Sequence, residues 1–126
     1  LETLSLFLPK VTNAGMVHLK EIKTLRKLCL NGTKVSDAGL VHLKKLKNLQ
    51  RLGLTYTPVT DKGLIHLEEM TSLKILALAY TQVTDFGLEH LYALPKLETL
   101  YLTKSKVTPA GVKSLRTAMP KCNVGI

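Results

Sequence analysis

Four histidines recur at one spacing: His18, His42, His66 and His90 lie 24 residues apart. Three aspartates, Asp37, Asp61 and Asp85, keep the same period, and two thiols, Cys29 and Cys122, stand outside it. Imidazole, carboxylate and thiolate are the groups that hold metals and move protons, so the question is whether the spacing lets them meet. A metal needs ligand nitrogens about 2 Å from one ion. One histidine per unit, on helices packed about 8–10 Å apart, makes a row and not a cluster. No carboxylate or thiol repeats beside it. The expectation is a structural ladder, with ring nitrogens bonded to neighbouring backbone, no metal and no cofactor. A pH-sensitive role is the lesser alternative, since like charges in a row resist joint protonation. Each aspartate follows a Ser or Thr suited to cap a helix, at a position where an acid complements the helix dipole. A helix-start role is therefore expected ahead of acid–base work. The thiols lack the short paired spacing of a metal motif. They also lie about four units apart, roughly 19 Å by strand spacing, beyond the ~7 Å between Cα atoms that a disulfide spans. The chain has no G-x-G-x-x-G, Walker, G-x-S-x-G or H-E-x-x-H run, and no catalytic residue is expected.

The period belongs to the whole chain. Segments of pattern LxxLxL start at Leu1, Leu25, Leu49, Leu73 and Leu97. A second block opens at Val11, Val35, Val59, Val83 and Val107, and Gly15, Gly39, Gly63, Gly87 and Gly111 occur in every copy. Two periodicities alternate inside each unit. Leu28 and Leu30 keep the strand period of two, whereas Leu40, Leu43 and Leu46 keep a helical stripe. Pro109 suits a first helical position. Each unit thus reads strand, loop, helix, loop. Strands stack about 4.8 Å apart and helices about 8–10 Å apart, so such an array curves, strands inside and helices outside. The glycines are expected to let each helix approach the strand layer.

The resulting fold class is α/β: a right-handed solenoid arc of about five units plus a closing half-unit, forming one domain over residues 1–126. The closing segment is 119–126, and Val124 and Ile126 are expected to point inward. Two registers are open there. Besides the 24-residue one, Met119-Pro120-Lys121-Cys122 matches Leu94-Pro95-Lys96-Leu97 at a spacing of 25. The first unit starts abruptly, without the polar cap that end repeats need, so a fragment of a longer protein is expected.

The LxxLxL core resembles the leucine-rich repeat family across the whole chain. The block Thr81-Gln82-Val83-Thr84-Asp85-Phe86-Gly87-Leu88-Glu89-His90-Leu91 is more particular. It resembles repeats abundant in large bacterial proteins, notably of planctomycete type, and more distantly the cysteine-containing repeats of F-box substrate receptors. Thr33, Thr57 and Thr81 stand where the latter class has its cysteine. The resemblance implies a curved solenoid that binds partners, commonly on its concave sheet.

The third, fifth and seventh residues of each unit should face that concavity, and they vary where the leucines do not. Phe7, Tyr56, Tyr80 and Tyr101 are the candidate anchors, flanked by Lys27, Arg51 and Asn31, because aromatics and Arg dominate binding hot spots. Tyr56 and Tyr80 can alternatively form a packing ladder at the eighth position. On the outer side Val17, Val41 and Ile65 form an apolar row suited to a lateral contact. The net charge of +9 is concentrated in residues 10–51 and 96–126, which favours acidic partners or polyanions non-specifically. Specific nucleic-acid binding is not expected, for want of clustered aromatics on which bases stack. No apolar run approaches the ~18–20 residues of a membrane span. The leading expectation is a monomeric protein-binding module. The alternatives are a structural spacer, an F-box-like substrate-recognition repeat and a basic polyanion-binding surface.

Overall fold

A computed structural model describes residues 1–7 and 9–126. Six three-residue strands form one parallel sheet in sequence order: β1 (Thr3–Ser5), β2 (Lys27–Cys29), β3 (Arg51–Gly53), β4 (Ile75–Ala77), β5 (Thr99–Tyr101) and β6 (Asn123–Gly125). Each strand pairs with the next at a shift of one unit, Leu28 with Leu52 and Leu52 with Leu76. The central leucines are buried, while the residues flanking them are partly or largely exposed. This is the alternation that a sheet solvated on one face requires. The helical side carries α1 (Asn13–Met16), α2 (Asp37–Leu40), α3 (Asp61–Leu64), α4 (Asp85–Leu88) and α5 (Pro109–Ala118). The chain is a right-handed α/β solenoid arc, with strands lining the inside and helices the outside.

The helices differ from a simple amphipathic stripe. In α1 to α4 a single four-residue α turn passes into a 3₁₀ stretch, such as Val41–Lys45 or Ile65–Leu67. The apolar spacing explains it. Leu40, Leu43 and Leu46 are three apart, and so are Leu64, Leu67 and Met70. All six are buried. Three residues per turn is the 3₁₀ repeat, which holds such a series on one line. In the last unit the buried series is Val112, Leu115 and Met119, spaced three then four, and there α5 runs unbroken for ten residues.

That longer helix resolves the two registers by using both. Met119 and Cys122 are buried in the places of Leu94 and Leu97, a spacing of 25. The strand then returns to 24, pairing Leu100 with Val124. Ile126 does not turn inward as expected. It is 66% exposed and borders a surface groove with Val107 and Val112.

One continuous core runs the length of the arc, from Met16 to Cys122, with Leu4, Leu6 and Val11 only partly covered at its first unit. Each buried leucine contributes about 1.5–3 kcal/mol relative to exposure.

Side chains also link unit to unit. The Asp37 carboxylate accepts the Thr60 backbone N–H at 2.8 Å and the Thr60 hydroxyl. Asp61 does the same for Thr84, and Asp85 for Thr108. Asn13 opens the ladder by accepting from the Ser36 N–H at 2.9 Å. A Cβ at Gly39, Gly63, Gly87 or Gly111 would overlap the Asn or Asp of the preceding unit. The glycines thus clear room for this ladder. Close approach to the strands, the role expected of them, is not what their surroundings show. The aspartates likewise do more than favour their own helix starts.

Candidate functional site

The third and fifth positions open onto the concave face. Lys27 and Arg51 are exposed and stand in register on adjacent strands, about 5 Å apart by strand spacing. Among the described residues neither makes an ion pair. The nearby Glu2 is 3.7 Å from Arg26 on the rim. The next residue of that row, Ile75, is half-buried. The fifth position is small from β1 to β4: Ser5, Cys29, Gly53 and Ala77. The small side chains leave a shallow depression of about 280 Å³, lined by these residues with Lys27, Arg51 and Ile75. Tyr101 is 46% exposed, and its ring leans over Gly125, where a Cβ would come within 3.0 Å of it. No third- or fifth-position residue is acidic.

The other candidates lie elsewhere. Asn31 is half-buried, and its amide oxygen accepts the Thr55 N–H at 2.9 Å, so that oxygen is engaged inside the fold. Phe7 is 60% exposed beyond β1. Tyr56 and Tyr80 sit in the turn after the strand, at the rim. Their rings stack with centroids 4.2 Å apart. The Tyr80 hydroxyl beside it raises the Tyr56 phenol above its ordinary pKa, with a lesser contribution from lost hydration. Both tyrosines have left-handed backbone, φ 57° and 54°, as do Gly32 at 72° and Lys104 at 57°. All four occupy the eighth position of their units. Sequence reasoning missed this constraint, although Gly32 in that column was the available signal. Thr33, Thr57 and Thr81, one residue on, are buried and donate their hydroxyls to the carbonyls of Leu30, Leu54 and Leu78 at 2.7 Å.

The histidine row keeps its one-per-unit order, but the expected bonds from ring nitrogens to backbone do not form among the described residues, and His90 alone has a side-chain partner. His90 Nδ1 meets the Glu68 carboxylate. His66 Nδ1 is buried without a hydrogen-bond partner, and Lys44 stands in the place that Glu68 takes for His90. Burial and then the Lys44 charge lower the His66 pKa, against a smaller upward pull from Asp37. No three His, Cys, Asp or Glu side chains gather among the described residues. Cys29 is free and half-buried at the depression. Cys122 is free and buried, and burial pushes its thiol up. On the outer side Val41 and Ile65 are 40% and 48% exposed. Phe86, which the sequence reading passed over, is 80% exposed.

No family model matches the chain, and no curated protein matches it either. Solved structures do. An internalin, InlF, from Listeria monocytogenes superposes with a TM-score of 0.81 at 23% identity, over 99% of this chain and 34% of that one. The fold is the leucine-rich-repeat fold. A leucine-rich-repeat protein of Leptospira interrogans matches with a TM-score of 0.68 at 22% identity, over 87% of this chain and 27% of its own length. The PEPR1-AtPEP1 structure matches with 0.61 at 18% identity, over 99% of this chain and 18% of that one. This chain spans about a third or less of the length of each of these. No helix among its described residues is long and apolar enough to cross a membrane.

Proposed function

We propose that this chain is a protein-interaction module that receives its partner on the concave sheet and performs no chemistry of its own. The observation that carries this reading is the contrast between columns. Leucine, aspartate and glycine positions repeat because the core and the inter-unit ladder demand them. The concave third and fifth positions carry no such demand, yet they hold exposed Lys27 and Arg51 at a shallow floor and exposed Tyr101 on a strand beyond it. Tyr and Arg are among the residues that supply most interface hot spots. On this reading the chain acts as a single monomeric domain, and its units are the 24-residue T-D-x-G-L-x-H-L type.

Capture with the intact chain as bait, at low and at high salt, tests the proposal. A protein retained at high salt, and lost with Tyr101→Ala combined with Ile75→Asp, both on the concave sheet, is the expected outcome. Retention at low salt alone would show that net charge binds indiscriminately. Capture of nothing under either condition would favour a structural spacer.

A further inference from the structure

We infer that the occupant of the concave face is an acidic protein segment, one that seats an Asp or Glu side chain on Lys27 and Arg51 and a small apolar group over Gly53 and Ala77. This rests on the concave-face reading above and adds the chemistry of the partner.

Four observations point the same way. Lys27 and Arg51 stand side by side on β2 and β3, both exposed. Backbones about 5 Å apart let both long side chains reach one carboxylate, and the guanidinium fork offers it paired N–H donors. Neither cation is neutralised within the chain, for among the described residues the ion pairs are Arg26–Glu2, Lys47–Glu69 and His90–Glu68. No acidic residue occupies the third or fifth concave positions to compete for them. The floor beside the pair is built from Gly53 and Ala77, with Ile75 as the next member of the row. A small aliphatic side chain, or the backbone of an extended segment, can lie there in contact. A carboxylate beside a small apolar group is a feature of acidic protein segments. Nucleic acid fits less well, because Tyr56 and Tyr80 are stacked on each other at the rim and offer no platform beside the cations.

The test pans displayed random linear peptides against the intact chain at roughly physiological salt, about 0.15 M. Lys27 and Arg51 are exposed and make no side-chain hydrogen bond or ion pair among the described residues, so Lys27→Ala and Arg51→Ala leave the core intact, and thermal unfolding verifies it. Selected peptides are expected to be enriched in Asp or Glu. Replacing that acid by its amide is expected to weaken binding about tenfold or more, as are Lys27→Ala and Arg51→Ala, because each leaves a charge unpaired at an interface. Arg51→Glu is expected to recover affinity for a peptide whose acid is replaced by Lys. A library that yields no binder sensitive to Lys27 and Arg51 overturns the inference, and so does a single-stranded RNA that displaces the peptides from that pair. Two failures are distinguishable. Binding indifferent to both cations but lost with Ile75→Asp keeps the concave face and rejects the acidic partner. Binding indifferent to all three but lost with Ile65→Asp and Phe86→Asp rejects both.

Discussion

A Cβ at Gly87 would land on the Asp61 carboxylate, which already accepts the N–H and the hydroxyl of Thr84. Gly87→Ala must move that carboxylate and strand its donors, at a cost of about 1–3 kcal/mol. Gly15 holds the same place in the first unit, yet a Cβ there meets nothing within 4 Å. Gly15→Ala is therefore expected to be neutral or to stabilise by about 0.4–1 kcal/mol, through a less flexible unfolded chain. Urea unfolding of the two variants reads the contrast. A loss confined to Gly87→Ala supports the ladder, and equal losses refute it. His66 gives the pH counterpart. Burial, then Lys44, lowers its pKa below the ordinary 6.5, so the unfolded chain takes up that proton more readily than the folded one. Its contribution is whole above that ordinary value and is lost as pH falls through the folded pKa. The drop in melting temperature from about pH 7.5 to about pH 5 should shrink in His66→Gln. The periodic residues were legible in sequence, but their partners were not. Period places a side chain on a face. Only the inter-unit offset reveals that Asp37 serves Thr60, or that position 20, Lys44 in one unit and Glu68 in the next, faces the following histidine.

The element that the sequence disguised most is the turn after each strand. Its eighth position is left-handed in Gly32, Tyr56, Tyr80 and Lys104. Three of these pay the steric cost of a Cβ there, roughly 1–2 kcal/mol each, and the stacked rings of Tyr56 and Tyr80 return about 0.5–1.5 kcal/mol. Gly32 has open space around its missing Cβ, so any loss on Gly32→Ala is backbone alone. That variant is expected to lose about 1–2 kcal/mol and Gly32→Asn less, since Asn tolerates this region. Equal losses for both variants in thermal unfolding would remove backbone handedness as the cause. Tyr56 and Tyr80 admitted two readings in sequence, concave anchors or a packing ladder at the eighth position, and their rings stack. Strands end at position five, and the left-handed turn swings position eight to the rim. The helices were legible as helices, while their 3₁₀ character was written in a leucine spacing of three that an α stripe also allows.

At the scale of the molecule, one core without internal boundaries links every unit to its neighbours, and in such an array stability is a sum of units and interfaces. Leu52 lies in the third unit, 1% exposed, and Leu52→Ala is expected to cost about 2–5 kcal/mol. Leu4, its counterpart in the first unit, is only partly buried, and Leu4→Ala should cost less by denaturant titration. The arc itself was the most legible feature of all, because five copies of two alternating periods leave little else to build. What the arc holds was less so, since the concave columns are the ones the fold leaves free. The fold provides its own reporter of that surface. Cys29 lies half-buried at the centre of the depression, while Cys122 is buried at the far end with its thiol pushed up. The decisive measurement is the alkylation rate of the two thiols in the free chain and in complex with the protein it retains at high salt. The concave-face account predicts that Cys29 is shielded by the partner while Cys122 stays as slow as before. An unchanged Cys29 rate in a saturated complex would place the partner elsewhere and contradict it.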